Sequence, residues 1–405
     1  MSWDNTDPVT ILCDRYWPDA YGGLERKMWN LSRALASFGN PVRVVTENRV
    51  GAPPFETILP NLVVQRVKPI CYGPLWRCVS LVRVGWWYRR IRSLPPTGTL
   101  WVSDPKMAVA AMLAGRGRDL VYQPIGCHTA MNRLSRVYRR VHTMQTTAVM
   151  RWLDRLAYRL APRIIFESHN VLDQFRRCYG RRSGLCVVHN GVEAAPVDRP
   201  SQSQARRRLG LQDDHWVVGF VGRLDPCKDV GFLFRAVAAR ADSRVRLLLV
   251  GEGPDRFRLE QLAVQHGLAD HVVWAGRVDD PARVYAAMDV MVLPSLYEAF
   301  GNVILEAMAA GVPVVGRRRD PDPNRPVFTA SEELIQDGQT GLLVDPHDPA
   351  DLGRQLSMLR LFPGARRAMG RRCRAWAAAR PWRVVVGLYH DAVTTRSEPQ
   401  QAKAA

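Results

Sequence analysis

The chain has 405 residues, long enough for two domains with full cores, and 47% hydrophobic with 23% charged residues is the composition of a folded globular protein. No apolar run reaches the ~18–20 residues of a membrane span, and Met1–Asp14 lacks the pattern of a signal peptide, so none is expected. The eight cysteines are scattered without a C-x-x-C pair, which argues against a disulfide frame or zinc site and for reduced thiols in the cytoplasm. Lys+Arg 57 against Asp+Glu 38 gives +19, and only five of the 57 are lysine. Residues 1–200 carry 29 basic and 14 acidic side chains, residues 201–405 carry 28 and 24, so the excess belongs to the first half.

Val9–Cys13 is a short apolar strand. The loop Asp14–Gly23 leads into an amphipathic helix at about Leu24–Phe38, and Val42–Thr46 is the next strand, a βαβ unit. The loop ends Y-G-G-L-E-R, with Gly22 and Gly23 at the helix mouth. Glycines there either admit a ligand to the backbone or only shape a turn. No G-x-G-x-x-G occurs, so dinucleotide oxidoreductase chemistry has no support. Further strands are predicted at Leu62–Val67, Leu100–Ser103, Leu120–Gln123, Arg163–Phe166 and Leu185–Val188, with helices between, as in a parallel α/β sheet.

From Glu56 to Asp104 there is no intervening acid, while Arg66, Lys68, Arg77, Arg83, Arg89, Arg90 and Arg92 interleave with Trp76, Trp86, Trp87 and Tyr88. We read Leu75–Leu94 as an amphipathic helix suited to an anionic membrane surface. The alternative is a solvated basic helix with its tryptophans in the core. A second acid-free stretch, Leu120–Leu153, carries Arg133, Arg136, Arg139, Arg140 and Arg151.

Residues 193–205 are small, polar and proline-bearing, an interdomain linker. A second α/β series follows: strands Trp216–Val221, Val245–Val250, Val272–Ala275, Val312–Val315 and Leu342–Val344, with helices at Asp229–Arg240, Asp255–His266, Ala282–Met288 and from Pro349 onward. A last helix is expected at about Arg383–Thr395, before a polar tail.

Met291–Gly311 carries the most chemistry. Met291–Pro294 reads as a buried strand, Ser295–Gly301 as a loop, and Asn302 as the N-cap of a helix that Gly311 stops. Glu298 and Glu306 flank that helix start. A helix N-terminus seats a diphosphate, and carboxylates accept bonds from vicinal hydroxyls, which together suit a nucleotide sugar. An isolated Glu-x7-Glu would more often be an ordinary βα unit; its context shifts that balance. In F-V-G-R-L-D-P-C-K, residues 220–228, Arg223 and Lys228 leave a turn at the C-terminal end of a strand, where open α/β sheets bind ligands. Two cations there would neutralise a diphosphate leaving group.

The second half resembles the C-terminal domain of glycosyltransferase family 4, retaining enzymes of GT-B fold. G-R-L-D-P-C-K resembles the family's G-R-L-x-x-x-K-G. V-L-P-S-L-Y-E-A-F-G-N-V-I-L-E-A-M-A-A-G-V-P-V-V resembles its Glu-x7-Glu signature, and Q-D-G-Q-T-G-L-L-V-D-P the segment after it. Y-G-G-L-E-R and V-H-N-G-V at 188–192 also fit, so the resemblance covers nearly the whole chain. It implies that Arg223 and Lys228 hold the donor diphosphate, Glu306 the ribose hydroxyls and Glu298 the transferred sugar. Backbone amides at Phe300, Gly301, Asn302, Val303 and Ile304 would meet sugar hydroxyls and phosphates, and Gly23, beside Gly22, would approach the diphosphate from the facing domain. His128, in Q-P-I-G-C-H-T, would lie near the reacting sugar. The chain departs from the pattern at Ala299, where glycine is usual. It departs again after Val315, where G-R-R-R-D-P-D-P-N-R-P replaces a short loop with a glycine pair. The Asp320–Pro321–Asp322 triplet is read as loop, Gly251 and Gly253 as a turn, and neither metal nor cofactor is expected.

The expectation is therefore a two-domain α/β protein of GT-B fold, two Rossmann-like parallel-sheet domains facing each other across a cleft. Residues 1–195 would bind acceptor, 205–380 nucleotide sugar, and 381–405 would hold a helix packing back on the first domain plus a disordered tail. The activity would be retaining transfer from a UDP- or GDP-sugar to a lipid-linked or anionic cell-envelope glycan precursor, by a cytoplasmic protein peripheral to the inner membrane face. Two alternatives stand beside it: a same-fold transferase with a soluble acceptor such as a sugar phosphate, and a non-catalytic polyanion-binding protein. No specific nucleic-acid partner is expected, since no such module is present.

Overall fold

The computed structural model describes residues 7–20, 22–48, 51–68, 80–138, 141, 146–193, 200–278 and 282–394. The chain divides into two compact units. One comprises residues 1–133, 146–191 and 382–405, the other 134–145 and 192–381.

The first unit is built on an eight-stranded sheet of β1 (Val9–Cys13), β2 (Val42–Glu47), β3 (Phe55–Leu59), β4 (Leu62–Val67), β5 (Thr99–Val102), β6 (Leu120–Tyr122), β7 (Arg163–Phe166) and β8 (Leu185–Val187). Their spatial order is β3-β4-β2-β1-β5-β6-β7-β8, parallel except for β3, which runs antiparallel along β4. Its helices are α1 (Gly23–Ser37), α2 (Ser80–Arg92), α3 (Pro105–Leu113), α4 (His128–Val137, which runs past this unit's boundary), α5 (Ala148–Leu160) and α6 (His169–Tyr179). Central strands are apolar runs because helices cover both faces, and Ile11, Val44, Leu100 and Val121 are fully buried.

The second unit has six parallel strands. These are β9 (Trp216–Val221), β10 (Val245–Val250), β11 (Val272–Gly276), β12 (Val290–Leu293), β14 (Val314–Arg317) and β16 (Gly341–Val344), in the order β11-β10-β9-β12-β14-β16. A separate two-stranded ribbon pairs β13 (Tyr297–Glu298) with β15 (Phe328–Thr329). Helices α7 (Gln202–Arg208), α8 (Val230–Ala238), α9 (Arg256–Gln265), α10 (Ala282–Tyr285), α11 (Asn302–Ala310), α12 (Ser331–Leu334), α13 (Pro349–Leu361) and α14 (Pro363–Ala378) surround the sheet. The last helix, α15 (Trp382–Thr394), belongs to the first unit, where Val385, Val386 and Tyr389 share a core with Met28, Leu31 and Leu35 of α1.

Several expectations need correction. Part of the linker is helical: Ser201 and Gln204 form a reciprocal capping box that starts α7, and residues 194–199 lie outside the described set. The helix read over Leu75–Leu94 is α2, and residues 69–79, with Trp76 and Arg77, are likewise outside that set. Two arginines of the acid-free interval are not surface charges. Arg83 reaches Asp14 (2.7 Å) and Glu47 (2.5 Å), and Arg66 reaches Asp19 and Glu56, both from buried positions. Trp87 is core, whereas Leu81 and Val82 are exposed. Among the described residues no helix is long and apolar enough to cross a membrane.

Candidate active site

In the second unit the loops after β9 and β12 meet. Asp225 accepts from the Cys227 amide (3.1 Å) and turns the chain through Pro226–Lys228. Lys228 Nζ then lies 2.6 Å from Glu298 Oε2, with the Ser295 hydroxyl 3.3 Å from the same oxygen. The Lys228 side chain is one-fifth exposed; burial works to lower its pKa, but the Glu298 carboxylate outweighs this and the net shift is upward. Lys228 therefore stays a cation. Glu298 stands on β13, which its partner β15 fixes through Phe328 N–H to Leu296 O (2.9 Å) and Ala330 N–H to Glu298 O (3.2 Å). The long loop after Val315 thus ends as the strand that supports Glu298. An antiparallel bridge between Asp320 and Val327 closes it, and Asp320 also meets His347 Nε2 at 2.9 Å.

Asn302 is not the cap of α11. Gly301 takes that position with φ +96°, which a side chain would strain, and a Cβ there would press on Ile304 Cδ1 at 3.0 Å. Asn302 and Val303 open the helix; the Ile304 amide donates to Gly301 O (2.8 Å), so it serves the first turn, and the Ile304 and Phe300 side chains are core. Gly311 closes the helix in the left-handed region. Glu306 accepts from the hydroxyl of buried Tyr285 (2.9 Å), and burial together with that carboxylate holds Tyr285 well above the ordinary phenol range. Arg223 is mostly exposed and lies 3.6 Å from Asp225. Gly251 and Gly253 are more than a turn: a Cβ on either would collide with the backbone of Gly222–Leu224, so small residues there let the loop after β10 brace the Arg223 turn.

In the first unit Gly22 precedes α1, and a Cβ on it would run into the Glu25 carboxylate, so that side chain occupies the mouth of α1 beside Gly23. His128 begins α4. Its amide donates to Asp154 Oδ2 (3.0 Å), and its Nδ1 lies 3.5 Å from that oxygen. Asp154, fully buried, also accepts from Tyr122 (3.1 Å) and Tyr179 (3.0 Å). The residues around these sites that sequence reasoning missed are Asp154, Tyr285 and Ser295. A carboxylate in the amphipathic α5, on the face of Leu153 and Ala157, was the available signal for Asp154.

In the second unit a carboxylate–lysine pair and a helix N-terminus thus lie at the C-terminal ends of parallel strands, where open α/β sheets bind their ligands. Residues 215–360 match the family described as "Glycosyl transferases group 1", and residues 21–195 "Glycosyltransferase Family 4". The chain is 32% identical over 429 residues to a D-inositol 3-phosphate glycosyltransferase of Acidothermus cellulolyticus, covering 93% of this chain and 87% of that protein. Sucrose-phosphate synthase from Thermosynechococcus elongatus superposes with a TM-score of 0.79 at 22% identity, over 95% of this chain and 98% of its own. Anabaena HepE, solved with UDP-glucose, gives 0.71 at 21%, with 95% and 98% covered. The chain belongs to glycosyltransferase family 4. It is an enzyme, a glycosyltransferase.

Proposed function

We propose that the chain transfers a sugar from a nucleoside-diphosphate donor to an anionic acceptor, with retention of configuration. The observation that carries this is the Lys228–Glu298 pair beside the start of α11, with Glu306 one turn further on. Lys228 and Arg223 neutralise the diphosphate, the α11 N-terminus adds its dipole, Glu298 takes the sugar hydroxyls and Glu306 the ribose. In the first unit, His128 is assigned to the reacting sugar. The anomeric C–O bond to diphosphate breaks as the acceptor oxygen bonds the same carbon from the same face. The acceptor's proton passes to the departing diphosphate oxygen, so no side-chain base is required. HepE binding UDP-glucose supports this donor class. The inositol 3-phosphate named for the Acidothermus relative, with the basic first half, supports a phosphate-bearing acceptor.

A second reading, a lipid-borne acceptor at a membrane surface, is favoured by exposed apolar side chains beside arginines: Leu81 and Val82 on α2, Trp152 and Leu160 on α5, with Arg89, Arg155 and Arg159. Salt-sensitive binding to anionic liposomes would support it; indifference to them would leave the soluble phosphate.

The test is donor hydrolysis and thermal shift over UDP-, GDP-, ADP- and dTDP-sugars, wild type against Glu306→Ala. One donor should stabilise and be slowly hydrolysed by wild type alone. If no donor does either, the proposal fails.

A further inference from the structure

Arg317 is the residue the fold uses most unexpectedly. It ends β14 inside the stretch that departs from the family pattern, yet it is 2% exposed. Its Nη2 donates to Asp229 Oδ2 at 2.9 Å, and its guanidinium lies 3.6 Å above the Phe232 ring. Asp229 follows Lys228 directly and has φ +44°, ψ +47°, the only positive φ outside glycine among the described residues. The family segment quoted above has glycine at this position. A charged, branched-at-carboxylate residue stands here in a backbone state that glycine adopts freely, and a buried arginine is its partner. The two departures, 88 positions apart, are in contact. Arg235 approaches the same carboxylate oxygen at 4.0 Å from near the surface. The guanidinium, fixed on the sheet, thus grips the turn at Asp229 and the first turn of α8 at Phe232.

Given the donor role proposed for Lys228, we propose that Arg317, acting through Asp229, is a positioning residue for Lys228. The buried pair holds the left-handed turn on which Lys228 stands, and so sets the reach of its ammonium toward Glu298 and the donor diphosphate. Arg317 does not itself contact donor in this account, although its Nε and Nη1 make no hydrogen bond among the described residues.

The experiment compares wild type, Arg317→Met, Asp229→Gly and the double variant, each checked for wild-type circular dichroism. It reads donor Kd, kcat and KM, and the resonance of ¹³C-methylated Lys228, one of only five lysines. Misplacement of a reacting group by about 1 Å costs up to ~10²-fold. Arg317→Met should therefore raise donor KM about tenfold or more and shift the Lys228 resonance even without donor. The double variant should recover most of that loss, because glycine takes the turn unaided. An unshifted resonance with unchanged KM in Arg317→Met overturns the inference. So does an equal loss in the double variant, which would make Arg317 a direct ligand. If wild type binds no donor, the donor reading fails separately, and the resonance still decides the positioning role.

Discussion

His128 and Lys228 are held by opposite strategies. Lys228 is gripped by one carboxylate at 2.6 Å, whereas His128 is placed through its backbone on Asp154, which also gathers two tyrosine hydroxyls. Replacing Lys228 with Met removes the cation beside Glu298 and, on the donor role proposed for it, a diphosphate partner, so kcat/KM should fall by about 10²–10³-fold as for loss of one preorganised charge donor. Single-turnover hydrolysis reads this directly, and a loss below tenfold would remove Lys228 from the site. Asp154→Asn keeps the shape but offers donors where three donors converge, so it should cost ~1–3 kcal/mol of stability. It should also lower kcat more than it raises donor KM, which a thermal melt with steady-state kinetics separates. Neither the contact of Asp154 with His128 nor that of Arg317 with Asp229 was legible in the sequence. The partners lie 26 and 88 positions apart, and only the folded sheets bring them near. Arg66 and Arg83 misled for the same reason: the acids that neutralise them, Asp19, Asp14 and Glu47, lie on other segments.

Among the elements, the parallel strands were legible because burial on both faces demands near-continuous apolar runs, as in W-V-V-G-F-V and in V-R-L-L-L-V with its single half-buried arginine. The strand β3 was not: it is an edge whose first three residues are exposed, so Phe55–Leu59 shows no apolar alternation. The ribbon strands β13 and β15, two residues each, are too short for any periodicity, yet they carry Glu298. Phe328→Pro would delete the N–H donated to Leu296. It should cost only ~1–2 kcal/mol in stability but reduce donor hydrolysis far more than that fraction of unfolding explains. If melting and hydrolysis fall in proportion, the ribbon merely stabilises. Gly301 shows the other limit. Its place in the signature was visible, but that it, and not Asn302, takes the cap depends on a φ of +96° that only the backbone reveals.

At the scale of the molecule, the first unit is closed by residues far from its other segments in sequence. Trp382, Val385, Val386, Tyr389 and Val393 are buried there. At ~1.5–3 kcal/mol for each buried apolar side chain, α15 contributes a gross ~7–15 kcal/mol, an upper bound. That equals the net stability of a whole domain, ~5–15 kcal/mol. A chain cut after Pro381 should therefore lose the first unit's cooperative melt and bind a hydrophobic dye, while the second unit melts much as before. A first unit that still melts cooperatively in the truncated chain would show that α15 is dispensable.

That arrangement has a consequence in time. Between Gly191 and Trp382 the ribosome must add 190 residues (381 − 192 + 1), the bulk of the second unit, before the first can finish. At ~5–20 residues per second, that is about 10–40 s. Throughout, Met28, Leu31 and Leu35 of α1 lack the helix that covers them in the finished protein. The nascent first unit is thus expected to expose an apolar face of the kind chaperones bind, and substitutions that slow synthesis of residues 192–381 should lower soluble yield without changing the mature enzyme.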